Sequence, residues 1–347
     1  MTPGPLFVPS HPHLQPSWLQ VAVAFPVALL LGFAARAAGR RLGALDHPDS
    51  SLKPHARAVP YLGGLAVAGG VAAGVATRGW PLRWGVTVAL FAPVFLGLAD
   101  DARRVPEALR LGLQVAFGVA LVLGGLNVDA CCSPAGIVYG LAAVVFYAAV
   151  LNAVNMVDGM DGLAGSLAVV SGAGIVVIAV TVSASWGRPG IVAACAAAAA
   201  AGFVIHNLPP ARLFLGDNGS YFVGAALAIA ALQAGIGIPA LAGASGCLGV
   251  FLLDLMLSVL RRLTGRVALH QGDRGHLYDQ LLARGLSVWA TLGVCLVVHT
   301  VLVGAAVVAA QLSKAGAVSL LGAVWAAAIG ALFAMGFVRY RQPEPAR

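Results

Sequence analysis

The segment LNAVNMVDGMDGLAGS, residues 151–166, carries Asn152, Asn155, Asp158 and Asp161 at intervals of three residues. If a helix continues into this segment, the first three side chains lie along one face, and Asp161 caps the next helix after a glycine-containing turn. Such a ridge offers carboxylate and amide oxygens, which hard cations such as Mg²⁺ prefer. The spacing therefore predicts a cation site at this turn, with helix capping alone as the alternative.

Two adjacent carboxylates, Asp100 and Asp101, stand in the segment GLADDARR. Neighbouring anions repel each other unless a cation compensates them, and either Mg²⁺ or Arg103 and Arg104 could do so. Helix capping accounts for one aspartate at such a position but poorly for a pair. We therefore predict that the pair belongs to a catalytic site.

The segment HNLPPARLFLGDNGS, residues 206–220, combines a Pro-Pro break with polar side chains and one aromatic residue. Asp217 and Ser220 are suited to cap the helix that follows, and capping alone would justify them. Capping does not account for Phe214, whose ring could serve as a stacking surface for a base. The segment is therefore a second candidate part of the site.

Two further loops are basic. The first contains Lys53, His55 and Arg57 ahead of a hydrophobic stretch, where basic groups suit a phosphate. The last, residues 261–285, supplies side chains that could clamp an anion. They are Arg261, Arg262, Arg266, His270, Asp273, Arg274, His276 and Asp279. Ordinary basic residues of a membrane boundary are the alternative, and nearby Asp254 either pairs with an arginine or joins the site.

The elements that position these segments must be membrane helices. Of 347 residues, 60% are hydrophobic and 10% are charged, and the mean hydropathy is +0.90, unlike a water-soluble domain. A spanning helix needs about 20 mostly apolar residues. Eleven stretches meet or approach that length: 18–38, 59–77, 83–99, 108–125, 134–153, 162–184, 189–206, 219–235, 238–260, 287–310 and 317–338. The sequence predicts an all-α integral membrane protein, one polytopic domain over 1–347 with a bundle of about eleven transmembrane helices.

Charge predicts the orientation of the bundle. When the loops are numbered alternately, 17 of the 21 Lys and Arg residues fall on one side, which the positive-inside rule makes cytoplasmic. All the segments described above lie on that side. We expect residues 1–17 outside, residues 339–347 in the cytoplasm, and an active site on cytoplasmic loops of a multi-pass plasma (inner) membrane protein. The net charge of +8 then reflects topology and lipid headgroups, and gives no reason to expect nucleic acid.

The segments GLADD, NAVNMVDGMDGLAG and LPPARLFLGDNGS, in this order and on one predicted side, resemble the polyprenyl-phosphate N-acetylhexosamine-1-phosphate transferase family of glycosyltransferase family 4 type. The resemblance covers all the hydrophobic stretches. It implies transfer of a sugar phosphate from a UDP-sugar to undecaprenyl or decaprenyl phosphate in the bilayer, with release of UMP. It also implies dependence on Mg²⁺, with Mn²⁺ as an alternative, a place at the first membrane step of cell-envelope polysaccharide synthesis, and a homodimer.

The resemblance further implies roles for individual residues. The metal ligands would be Asn155 and Asp217. The catalytic carboxylates would be Asp100, Asp101 and Asp158. The substrate contacts would be Arg57, Asp161, Asn207, Phe214, Asp273, Arg274 and His276, with Asp161 and Phe214 at the uracil. Whether Asp100 or Asp101 acts as a base, as a nucleophile or only through its charge stays open.

The last loop departs from the family pattern. Many bacterial members carry a run of histidines there, whereas the segment GHLYDQL of this chain has His276 alone, with Tyr278 and Asp279 where further histidines would be expected. The donor sugar is therefore less defined than the reaction, with UDP-N-acetylglucosamine preferred and UDP-N-acetylgalactosamine as the nearest alternative. A non-catalytic lipid- or nucleotide-binding relative is one alternative function. A transporter is another, although it would place its acids near the middle of the bilayer.

Overall fold

A computed structural model of the protein describes residues 18–47, 58–77, 79–80, 82–126, 133–183, 187–234, 237–265 and 275–337. These residues form thirteen helices: α1 (Trp18–Leu42), α2 (Gly63–Ala76), α3 (Trp84–Ala102), α4 (Glu107–Gly124), α5 (Pro134–Val157), α6 (Leu163–Ser183), α7 (Gly187–Asn207), α8 (Gly216–Gln233), α9 (Ile238–Gly246), α10 (Gly249–Gly265), α11 (Leu277–Ala283), α12 (Val288–Ala309) and α13 (Lys314–Ala334). Two short strands, β1 (Leu45–Asp46) and β2 (Val59–Pro60), pair antiparallel. The predicted all-α membrane fold is confirmed.

In this described part of the chain, eight helices are long and apolar enough to cross a membrane. They are α1, α3, α4, α5, α6, α7, α12 and α13. Helices α9 and α10 would together make a ninth span, but they are bent by 78° at their junction. The prediction of one continuous helix over 238–260 is therefore wrong, and the count of eleven spans is not confirmed.

The other two predicted spans correspond to α2 and α8, which are not among those eight. Helix α2 has 14 residues, so it extends about 21 Å, less than the roughly 30 Å of a hydrocarbon core. Helix α8 is buried at every residue from Asn218 to Gln233, because α2, α3, α5 and α7 pack around it. A helix shielded from lipid in this way can begin with polar residues such as Asp217.

Two glycines allow α2 and α3 to approach the start of α8. A Cβ atom at Gly64 would overlap the backbone of Gly219, and a Cβ atom at Gly97 would overlap the backbone of Asn218. Helices come this close only where neither side chain intervenes, as in many membrane bundles. The first turn of α8 is therefore fixed by backbone contact with two other helices.

The loops that join these helices meet at one end of the bundle. The backbone N–H of Phe214 donates to the carbonyl of Pro60 at 2.8 Å, and the N–H of Gly63 donates to the carbonyl of Phe214 at 2.9 Å. The loop after α7 is thereby tied to the segment that enters α2. Since α3 and α5 also end here and α8 begins here, the bundle brings the predicted polar segments to a common rim.

A buried histidine of α12 holds the junction between α9 and α10. The Nδ1 atom of His299 accepts a hydrogen bond from the backbone N–H of Val250 at 3.2 Å, and its Nε2 atom lies 3.1 Å from the carbonyl of Leu167. A ring that accepts at Nδ1 carries its proton on Nε2, which then donates to that carbonyl. His299 therefore satisfies one amide that the helix start leaves unpaired and links α10 to α6.

Candidate active site at the start of α8

The end of α5 meets the first turn of α8 through three polar side chains. The Nδ2 group of Asn155 donates to Asp217 Oδ1 at 2.7 Å and to Ser220 Oγ at 2.9 Å. Both amide hydrogens of Asn155 are thus used. Asn155 Oδ1 and Asp217 Oδ2 accept no hydrogen bond from any residue that the structure describes. The contact therefore presents one amide oxygen and one carboxylate oxygen to other ligands.

Asp158 lies directly after α5 and is half-buried. Burial raises the pKa of its carboxyl well above the usual range, and the carboxylates of Asp217, Asp101 and Asp161 raise this pKa further. Within the described ranges, the Asp158 side chain accepts no hydrogen bond that would offset this cost. A cation bound nearby would favour the ionised form of Asp158.

The described residues contain no group of three or more His, Cys, Asp or Glu side chains that could hold a metal ion by themselves. The amide of Asn155 and the carboxylate of Asp217 nevertheless form an all-oxygen pair. Mg²⁺ in proteins is commonly bound by one or two carboxylates together with substrate phosphates and water. The chemistry of this pair therefore fits Mg²⁺ bound with a phosphate substrate, and does not fit a site built from protein ligands alone.

Asp101, at the end of α3, caps α8 from outside that helix. Its Oδ1 accepts from the backbone N–H of Asp217 at 2.9 Å, and its Oδ2 accepts from the backbone N–H and the Nδ2 group of Asn218 at 3.1 and 2.7 Å. The capping position itself holds Leu215, which has no side-chain acceptor. Helix starts leave such N–H groups without intrahelical partners, so the cap predicted for Asp217 or Ser220 is supplied by Asp101 instead.

Asp100 is 7% exposed and also accepts three hydrogen bonds. Its Oδ1 accepts from the backbone N–H of Val105 at 2.9 Å, and its Oδ2 accepts from Arg110 Nη1 and from the Tyr221 hydroxyl, both at 3.0 Å. Among the described residues, the cation that compensates this carboxylate is Arg110 of α4 and not Arg103 or Arg104; the sequence had indicated only an interfacial place for Arg110. The adjacent aspartates thus point to two different sets of donors.

Asp161 and Phe214, predicted at the uracil, lie in neighbouring loops of the same rim, and Asn207 lies close by at the end of α7. Asp161 Oδ2 accepts from the backbone N–H of Ala211 at 2.9 Å, so it joins the α5–α6 loop to the α7–α8 loop. Asn207 is buried, and its side chain accepts from Gly162 at 3.0 Å. Phe214 is half-buried in the loop that precedes α8. Their contacts with substrate stay predictions.

His276 stands at the start of α11, and its Nδ1 atom lies 2.6 Å from Asp254 Oδ2. The Oδ1 atom of Asp254 accepts from the backbone N–H of Leu277 at 2.7 Å. Asp254 therefore pairs with His276 and not with an arginine, which was one of the two alternatives. Several other predicted residues of the basic loops lie outside the described residues: Lys53, His55, Arg57, Arg266, His270, Asp273 and Arg274.

Two residues that complete these contacts were not predicted as part of a site. Tyr221 follows Asp217 by four residues, so both project from the same side of α8. Arg110 comes one turn into the helix that follows Asp100 and Asp101. A tyrosine at that helical spacing and an arginine just beyond the loop are signals that could have identified them.

Eight of the described helices are long and apolar enough to cross a membrane, and amide and carboxylate oxygens gather at one rim of the bundle. This arrangement is the one expected of an enzyme embedded in a membrane. The sequence profile described as Glycosyl transferase family 4 matches residues 83–235, which include Asp100 to Asp217. A probable undecaprenyl-phosphate N-acetylglucosaminyl 1-phosphate transferase of Bacillus subtilis is 30% identical over 294 residues, covering 78% of this chain and 79% of the relative.

Two further relatives extend this similarity. A putative glycosyltransferase of Streptomyces coelicolor is 33% identical over 339 residues, covering 93% of this chain and 76% of the relative. A decaprenyl-phosphate N-acetylglucosaminephosphotransferase of Mycobacterium tuberculosis is 28% identical over 313 residues, covering 76% of both chains. The chain belongs to glycosyl transferase family 4 and is a multi-pass membrane transferase, as the sequence motifs predicted.

Proposed function

We propose that this protein transfers N-acetylhexosamine-1-phosphate, with N-acetylglucosamine as the preferred sugar, from a UDP-sugar to a polyprenyl phosphate, with release of UMP. The observation that carries the proposal is the pair of oxygen atoms from Asn155 and Asp217 beside Asp158 at the start of α8. The names of two relatives support the acceptor, undecaprenyl or decaprenyl phosphate, and the N-acetylglucosamine group. The reaction would be the first membrane step of cell-envelope polysaccharide synthesis.

Mg²⁺, with Mn²⁺ as an alternative, would be held by Asn155 Oδ1 and Asp217 Oδ2. When bound, the metal would polarise the phosphoryl oxygens and neutralise charge that develops during transfer. Asp158 would strengthen the negative field that attracts the cation. The same two protein ligands keep each other in place, since the Asn155 amide donates to Asp217 and to Ser220.

In the proposed reaction, an oxygen of the acceptor phosphate forms a bond to the phosphorus that bears the sugar. The bond from that phosphorus to the UMP oxygen breaks. A phosphate monoester is largely ionised near neutral pH, so the attacking oxygen needs no general base. Since Asp100 and Asp101 both accept hydrogen bonds from the protein, we propose that the pair acts through charge and positioning rather than by taking a proton.

We also propose that this rim faces the cytoplasm in the plasma membrane. The support is the concentration of Lys and Arg on the loops of that side, together with the direction of the positive-inside rule. A homodimer is supported by the family resemblance alone.

The test is UMP release by purified protein in detergent, with undecaprenyl phosphate, Mg²⁺ and a panel of UDP-sugars, with and without EDTA. We expect metal-dependent UMP from one N-acetylhexosamine donor. Asp217→Ala should lose this activity, whereas the matched control Glu107→Gln, an exposed acid at the start of α4, should keep it. UMP release that survives EDTA would contradict the metal site. Nucleotide binding without UMP from any donor would favour a non-catalytic relative.

A further inference from the structure

His276, the histidine of the segment GHLYDQL, is held by the protein on one edge and on one face of its ring. On its edge, His276 Nδ1 lies 2.6 Å from Asp254 Oδ2. On its face, the ring of Tyr278 is nearly parallel, with an interplanar angle of 7° and ring centroids 5.8 Å apart. Only 10% of the His276 side chain is exposed. The position and orientation of the imidazole are therefore set by these two neighbours.

Asp254 is built into a rigid part of the molecule. It is 1% exposed in α10, and its second oxygen accepts from the backbone N–H of Leu277 at 2.7 Å. The start of α10 is in turn held by the bond from Val250 to His299. A carboxylate accepts hydrogen bonds and does not donate them, so the proton of this contact is on His276 Nδ1. Contact between His276 and a substrate must then use Nε2.

Tyr278 joins the same histidine to the turn that carries Asp158. The Tyr278 hydroxyl occupies the space that a Cβ atom at Gly159 would need, and Gly159 directly follows Asp158. Tyr278 itself is 7% exposed. One aromatic side chain therefore spans the distance between the imidazole and the α5–α6 loop that carries Asp158.

We infer that Asp254 and Tyr278 are positioning residues that fix the Nε2 atom of His276 as a hydrogen-bond acceptor for the hydroxyl and amide groups of the donor sugar. The inference rests on the proposed function, because it assigns His276 a contact with the donor of that reaction. It also gives a physical role to Tyr278, which stands where many bacterial relatives of this family would have a further histidine. In this chain, the imidazole of His276, held in one orientation, would do what several histidines do in those relatives.

The first test compares two substitutions of Asp254. Asp254→Asn keeps an acceptor for Leu277 but places an N–H group against Nδ1, which moves the ring proton to Nε2. We expect the KM for the UDP-sugar to rise roughly ten-fold, the worth of one hydrogen bond that a protonated Nε2 can no longer accept, while the KM for the lipid acceptor changes less than about two-fold. Asp254→Ala should show the same pattern with lower thermal stability. Equal effects on both substrates would overturn the inference.

A second test uses a double-mutant cycle and does not depend on how well the Asp254 variants fold. Glutamine can place its amide near the position of Nε2, and asparagine near that of Nδ1, so His276→Gln should retain more donor affinity than His276→Asn. In a His276→Gln background, Asp254→Asn should change the donor KM by less than about two-fold, because its effect passes through the imidazole. An unchanged, additive ten-fold effect would assign Asp254 a separate structural role.

A third test addresses Tyr278. Tyr278→Phe keeps the stacked ring and removes the hydroxyl, whereas Gly159→Ala introduces a Cβ atom against that hydroxyl. Both should raise the donor KM, and the double variant should fall short of the product of the two single effects. Wild-type kinetics in both single variants would remove Tyr278 from the inference. If the wild-type protein itself releases no UMP, the proposed function fails. If the wild-type protein is active and the Asp254 variants have the same KM for the UDP-sugar, only the positioning role of Asp254 fails.

Discussion

Asp100 and Asp101, at the end of α3, each accept three hydrogen bonds from the protein, whereas Asp158, after the end of α5, accepts none from the residues that the structure describes. All three carboxyl groups belong to one rim around the first turn of α8. The α3 pair accepts hydrogen bonds from the α3–α4 loop, from α4 and from α8, so it stabilises the arrangement of helices. On the α5 side, the carboxyl group of Asp158 has no hydrogen-bond donor among the described residues, so this is the side on which a cation would be bound.

The largest effect is expected from removing the carboxylate of Asp217, which lies on the α5 side of the first turn of α8. Asp217→Ala deletes one of two proposed metal ligands, and a bound metal is worth several kcal/mol of transition-state stabilisation, so turnover should fall at least about 1000-fold. The fold should persist, because Asp101 caps α8 through the backbone of Asp217 and not through its side chain. The measurement is kcat over a Mg²⁺ titration, with thermal unfolding as the control. A wild-type kcat in Asp217→Ala, reached at the same Mg²⁺ concentration as in the unaltered protein, would contradict a ligand role.

On the α3 side, we expect stability and activity to fall together. Asp101→Ala removes the cap of α8, which should lower the free energy of unfolding by about 2 kcal/mol, the upper range for a helix cap. Turnover should fall about 100-fold, since a small shift of the metal pair is costly to a positioned reaction. Asp158→Ala is the matched control, with activity lost and stability kept. An Asp101→Ala protein that is inactive but as stable as the wild type would point to direct contact with substrate.

A smaller effect is expected from removing the Tyr221 hydroxyl, which tests whether the α3 pair acts mainly through stability. Tyr221→Phe removes one of three donors to Asp100 and leaves those from Arg110 and Val105. We expect a loss of about 1 kcal/mol in stability and less than a ten-fold fall in kcat. Tyr147→Phe, whose hydroxyl donates to the Ala89 carbonyl away from the site, should lose similar stability without any change in kcat. A rate loss as large as that of Asp217→Ala would give Tyr221 a catalytic role.

The smallest expected effect concerns pH in the absence of metal. The pKa of Asp158 is raised in the folded protein, so its contribution to stability is present below the pKa of the unfolded chain and is lost as the pH rises through the folded-state pKa. Asp158→Asn should remove this loss, and Mg²⁺ should reduce it in the wild type. The shift in Tm should be of order a few degrees, measured in EDTA and in Mg²⁺ across the acidic to neutral range. Parallel curves of Tm against pH for the wild type and Asp158→Asn would contradict this contribution of Asp158.

Local patterns in the sequence predicted the parts of the site that lie within one segment. The prediction that Asn152 and Asn155 share a face required the fifth helix to continue past Leu151, and α5 does extend to Val157 before turning at Asp158. The hydrophobic stretches likewise located the helices. Residue type and spacing are sufficient here because a helix face and a turn are local structures.

Contacts between distant segments could not be read in the same way. Asp101 caps a helix that begins 115 residues later, and nothing in either segment indicates the pairing. The bend between α9 and α10 was missed because an apolar stretch indicates burial in a membrane and does not indicate whether the helix axis stays straight. The small residues around Gly246 and Gly249 were the local sign of the bend. Helix α8 shows the opposite case: its polar start is tolerated because α2, α3, α5 and α7, among other helices, pack around it and shield it from lipid.

The backbone contacts at Gly64 and Gly97 carry a consequence for engineering this enzyme. Since α2 and α3 touch the start of α8 without intervening side chains, no rotamer can adjust to absorb a substitution there. A saturation library at these two positions should return glycine alone. By contrast, Leu65 and Phe95 are 40% and 70% exposed on the outside of the same helices, and they should accept most apolar residues. Directed evolution of donor choice would therefore do best to vary the last loop and to leave the two glycines untouched.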